Sequence, residues 1–256
     1  MPPRRNEMAL FRSNNPALKK VAGYERTEGE SASYKGIAFK ALYYVLLTVA
    51  SAIGSFALVV LTGSFELLIV IVFVAPILAF ICSMVAVFKP LTAHISGSLY
   101  ALFMGASVGL ISGIVGAEYG GVVFAALIST VAVFGIMTAL YASGLVRVGP
   151  FFRRFMISAL LGIVLAQLII LIVGLFSPVI WNMFYGNSLL SIGISCLMVI
   201  FASLMILLDL DRMTQIVTSG MDKKYEWIAA FGLLVTLIWL YMEFLRLFSK
   251  IASRRR

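Results

Sequence analysis

Charge is what this chain has least of. Only 12% of its 256 residues are charged while 62% are apolar, and the mean hydropathy is +1.05. Soluble domains carry roughly 25% charged residues. A soluble fold of this size lacks the interior to hide so much apolar surface, so lipid is the solvent for part of it. Cysteine is nearly absent. Cys82 and Cys196 both lie inside apolar segments, which excludes a disulfide framework and a cysteine metal spacing and leaves them as small apolar residues. The single histidine, His94, has no second ligand near it in sequence and reads as an interfacial residue. Catalytic signatures are missing too: there is no GxSxG, no HExxH and no phosphate-cradling glycine loop, so neither an enzyme nor a bound cofactor or metal is expected.

Acidic residues number 11 against 20 basic ones, a net charge of +9. An excess of that size fits nucleic acid only when it lines one face. Here the basic residues sit in tails and loops between apolar stretches, which excludes nucleic acid as a partner and leaves the lipid bilayer.

What is present is a series of apolar runs. Seven stretches are long enough to cross a hydrocarbon core, near residues 37–61, 67–88, 95–115, 122–142, 155–176, 188–208 and 227–248. Backbone polar groups in lipid must be satisfied locally, so each is expected to be helical, Pro76 notwithstanding. Residues 1–35 are polar, carry Arg4, Arg5, Arg12, Lys19, Lys20 and Arg26, and lack the apolar core of a signal peptide. They read as a flexible basic cytoplasmic arm ahead of a membrane domain over residues 36–256.

The basic residues orient the spans. From Arg4 to Lys40 they lead into the first stretch; Lys89 is in the second loop, Arg147, Arg153 and Arg154 in the fourth, and Arg212, Lys223 and Lys224 in the sixth. The first, third and fifth loops hold none, which puts the amino terminus in the cytoplasm. Arg246, Lys250 and the terminal arginines run against this pattern if the seventh stretch crosses. Either it spans against the rule, or it re-enters and returns its tail to the cytoplasm. In the third stretch Gly105, Gly109 and Gly113 form overlapping GxxxG units, expected to bring a neighbouring helix of the same chain close.

Most acids fall in the arm or the loops, leaving Asp209 and Asp211 at the end of the sixth stretch and Glu243 inside the seventh. A carboxylate in apolar surroundings is costly to ionise and is a functional candidate by default. Asp211, beside Arg212, reads as a solvated helix end. Glu243 has Arg246 three residues on, so an intrahelical ion pair rivals a functional role. Trp181, Trp227, Tyr119, Tyr185 and Tyr225 lie near span ends and suit an aromatic belt.

Several segments together resemble the Bax inhibitor-1 family, and within it a bacterial branch with a polar amino-terminal arm. They are Ser13-Asn14-Asn15-Pro16; Leu99-Tyr100-Ala101-Leu102 with the glycine run from Gly105; Phe176-Ser177-Pro178; Leu208-Asp209-Leu210-Asp211; and Tyr225 through Phe248, including Leu240-Tyr241-Met242-Glu243. The resemblance implies an all-α bundle of seven transmembrane helices, the seventh central and enclosed by the other six, in a bacterial plasma membrane. In some members it also implies a pH-sensitive calcium leak gated by an acid ending helix six and another on helix seven. Asp209 matches the first position. For the second, the Leu-Tyr-Met-Glu motif supplies Glu243, whereas a gapless register from Tyr225 to Arg246 supplies Thr236. With a turn near Gly220, Thr236 is offset in depth from Asp209 by ~8 Å and Glu243 by ~18 Å, which favours Thr236. A basic partner at the end of helix two, present in some members, corresponds to Lys89, although Lys does not reproduce the bidentate clasp of Arg.

Two functions follow as expectations. One is a pH-sensitive leak for calcium or other cations through the acidic site. The other is a scaffold or regulator of other membrane proteins, such as a quality-control protease, without flux of its own.

Overall fold

Serine hydroxyls open three helices of the chain by accepting from the backbone amide three residues on: Ser33 from Gly36, Ser64 from Leu67 and Ser188 from Ser191. Proline begins two others, at Pro150 and Pro178, where its missing N–H costs nothing. The resulting computed structural model describes residues 30–186 and 188–254. The arm before residue 30, with Ser13-Asn14-Asn15-Pro16, lies outside the described residues.

Helix α1 spans Tyr34–Thr62 and α2 Phe65–Phe88; after one 3-10 turn, α3 spans Ala93–Glu118. Then come α4 (Val122–Ala142), α5 (Pro150–Phe176), the short α6 (Pro178–Tyr185), α7 (Leu189–Thr218) and α8 (Tyr225–Arg254). Among the described residues, seven helices are long and apolar enough to cross a membrane, all but α6. The sixth and seventh predicted stretches are α7 and α8. The chain is therefore an all-α, multi-pass membrane protein.

Sequence and structure differ most at α7, which runs ten residues past the predicted end at 208. Leu210, Met213 and Ile216 continue its buried stripe after the charges begin, so tertiary packing carries the helix on where hydropathy falls. Asp211 accordingly sits within the helix and does not end it. Likewise α1 begins at Tyr34, inside the region read as arm, and α6 occupies what the sequence gives as the fifth loop.

Helix α8 is central. In its most apolar 18-residue window 72% of residues are buried, against 6% for α5. It packs on α7, α4, α1 and α3. The expected enclosure by all six other spans narrows to these four, since α2 lies against α3 and the main neighbour of α5 is α6.

The GxxxG stripe of α3 explains the closest of these contacts. A Cβ at Gly105 would meet the backbone of Thr48, one at Gly109 the backbone of Ala52, and one at Gly113 the ring of Phe56, all on α1. Without side chains there, Ser51 donates to the Leu102 carbonyl at 2.6 Å and Ser55 to that of Ala106 at 3.0 Å. The small residues serve packing within the chain, as expected.

Candidate functional site

The α7–α8 hairpin turns at Gly220, whose φ of 63° is left-handed and suits glycine. The turn sets the register of the two helices, and it brings Thr236 opposite Asp209: the Thr236 hydroxyl donates to Asp209 Oδ2 at 2.5 Å. Gly232, one turn before Thr236, leaves room for Asp209 Oδ1, which lies 3.4 Å from where a Cβ would stand. Asp209 is partly buried and has no ion pair among the described residues. It is a carboxylate inside a spanning helix whose one hydrogen-bond partner is neutral.

The other candidates lie elsewhere. Glu243 is 2% exposed; its carboxylate accepts from Trp239 Nε1 at 3.0 Å and from Arg246 at 3.1 Å, so the intrahelical ion pair is the arrangement present. Asp211 is paired with Arg153 of α5 and accepts from Gln215 at 2.7 Å. Lys89 caps α2, is exposed, and neither bonds nor pairs with Asp209; the basic partner proposed for the helix-six acid is not there. His94 lies tilted beside Trp227, ring centroids 6.3 Å apart. Among the described residues no three His, Cys, Asp or Glu side chains gather in a metal-holding group.

Two buried charges escaped the sequence reading. Glu226 opens α8 and is only 1% exposed. It is ion-paired to Lys40 of α1 and accepts from the Ser33 amide at 2.8 Å and its hydroxyl at 3.2 Å. A side chain at Gly36 would occupy the place of its carboxylate. The ammonium of Lys40 also lies 5.1 Å from the Trp227 ring. The signal in the sequence was Lys40 itself, a lone cation several residues inside an apolar stretch. The second is Lys250, 5% exposed near the far end of α8.

Beside Glu226 the chain ahead of α1 is laid against the α7–α8 turn. Ala32 donates to the Met221 carbonyl at 2.8 Å and Lys223 donates to that of Glu30 at 3.0 Å. The Glu30 and Lys223 side chains pair in solvent, which holds the Glu30 carboxyl below its ordinary range and the Lys223 ammonium above its own.

Seven apolar helices, one of them central, with a carboxylate where the last two meet, define an integral membrane bundle with an embedded acidic site. Within that class the chain belongs to the Bax inhibitor 1 like family, whose model matches residues 15–253, nearly the whole length. No curated protein matches the chain.

Proposed function

We propose that this protein is a proton-sensitive cation leak of a bacterial plasma membrane, with its amino terminus in the cytoplasm and Asp209 as the responsive group. The observation carrying this reading is the Asp209–Thr236 contact. A partly buried carboxylate whose hydrogen-bond partner among the described residues is one hydroxyl keeps lone pairs open to a proton or a cation. Ionised, it receives a charge-assisted bond that ties α7 to α8; protonated, it receives an ordinary and weaker one. The α7–α8 contact is then the gate that pH biases. With Thr236 where some relatives carry a second acid, the site offers one negative charge, which favours passage of cations generally over tight capture of calcium.

Liposomes holding the purified protein and an entrapped cation-sensitive dye test this. Asp209→Asn is expected to remove the pH dependence of flux. Flux that keeps its pH profile in that variant sinks the proposal.

A second reading, a scaffold for other membrane proteins, is favoured by α5. Most of this helix is exposed, and it offers a free face to a partner helix. Capture in mild detergent of a stoichiometric partner, lost when α5 lipid-facing residues such as Leu161 and Leu165 become alanine, is the outcome that would support it.

A further inference from the structure

Lys250 raises a separate question, because its ammonium is buried with no ion-pair partner among the described residues. None of the ion pairs among the described residues includes it, and Glu243 is taken up by Trp239 and Arg246. Its surroundings are oxygens: Ser191 Oγ at 2.6 Å, Ser195 Oγ at 2.9 Å, the Phe184 carbonyl at 3.2 Å and the Ser191 carbonyl at 3.3 Å. Both serines are buried, Ser191 at 0% and Ser195 at 2% exposure.

The hydroxyl protons decide what this cage can hold. Ser191 donates its own to the Phe184 carbonyl at 2.6 Å, and Ser195 donates its own to the Ser191 carbonyl at 3.1 Å. Both hydroxyls therefore present only lone pairs to the centre, so each hydrogen-bond partner of the ammonium among the described residues is an acceptor. The cage is built by three elements, the end of α6, the first two turns of α7 and the end of α8, at the opposite end of α8 from Glu226. An acceptor-only ring of neutral oxygens is the chemistry of a dehydrated monovalent cation, and a primary ammonium matches potassium in charge and closely in size. Calcium takes six to eight oxygens with carboxylates among them, and this ring has none.

We propose that the ring formed by Phe184, Ser191 and Ser195 is a binding site for a potassium-sized monovalent cation, filled in this protein by its own Lys250. The lysine is a tethered occupant, and removing it leaves a site that a free ion can enter. This inference concerns a different place from Asp209 and requires no flux.

The test uses the full-length protein in detergent, with thermal midpoints read at constant ionic strength in potassium, rubidium or thallium(I) nitrate against choline nitrate. Lys250→Ala is expected to gain stability with each of the three ions, by about 3 °C per tenfold increase above the dissociation constant. Wild type is expected not to respond. Lys250→Met, whose thioether fills the space without charge, is expected not to respond either. Adding Ser195→Ala to Lys250→Ala is expected to remove the gain. Lys250→Ser serves as a second open-cage variant, and a variant that folds only when potassium is supplied supports the proposal. An Ala variant that responds no more than wild type overturns it. So does a response to calcium or magnesium alone, or failure of both open-cage variants to fold at any cation concentration.

Discussion

Thr236 on α8 gives its hydroxyl hydrogen to Asp209 on α7 across 2.5 Å, a side-chain hydrogen bond between the innermost helix and the neighbour it packs on most. It puts a carboxylate on the contact between the innermost helix and its neighbour.

Thr236→Val keeps the shape and deletes the donor. A hydrogen bond to a charged acceptor contributes about 1.5–3 kcal/mol, and the variant is expected to lose stability in that range. Thermal melts in detergent at neutral pH check it, and a variant as stable as its parent would show that the bond holds nothing.

Thr236→Asp places a second carboxylate against the first. Two facing acids form the oxygen-rich, anionic ligand set that divalent cations need. Calcium binding to this variant, followed by calorimetry, is expected to be at least about tenfold tighter than to the parent. Equal binding would mean the two positions cannot share an ion.

The spans were legible because hydropathy is the strongest signal a membrane chain carries, and the facing of Asp209 by position 236 followed from counting residues on either side of Gly220. The same reasoning stopped short at α7, where Leu210, Met213 and Ile216 extend the helix through a charged segment that hydropathy reads as loop. It also placed Glu226 in that loop. The carboxylate is buried by Ser33, Gly36 and Lys40, residues nearly two hundred positions away, and no local pattern announces such a meeting. Lys250 escaped for the same reason, because its four oxygens belong to other helices.

The Glu226 clasp yields a stability prediction. Removing the cation from a buried pair leaves an uncompensated charge, at a cost of about 3–5 kcal/mol. Lys40→Met is expected to fall in that range, and Lys40→Met with Glu226→Gln to recover much of it. A double variant no more stable than the single one would contradict the pairing.

Glycine substitutions separate contact from composition. Gly109→Ala drives a methyl into the Ala52 backbone and is expected to cost about 1–3 kcal/mol. Gly135, on α4, faces open space, and Gly135→Ala is expected to stay within about 1 kcal/mol of the parent. Equal effects at both sites in parallel melts would argue against a close α1–α3 approach.

The exposed Glu30–Lys223 pair sets a pH window for the strand-like contact beside it. Glu30 is held below its ordinary 4.5, so its contribution is present above that pH and fades as acid carries the solution through the lowered value. Lys223 is held above 10.5, so its contribution is present below that pH and fades as base carries the solution through the raised value. Hydrogen-exchange protection of the Ala32 and Lys223 amides, corrected for intrinsic rates, is expected to be flat from about pH 6 to 8 and to drop in acid below the Glu30 range. A break near neutrality would point to another group.

Residues 30–33 are fastened to the start of α8 as well as to α1, so the polar tail and the innermost rod share an anchor. A force applied to that tail, by a pulling protease or a docked partner, would reach the middle of the bundle through Lys223 and Glu226 without first moving its outer wall. Pull on residue 30 and the load path runs into the central helix, not around it.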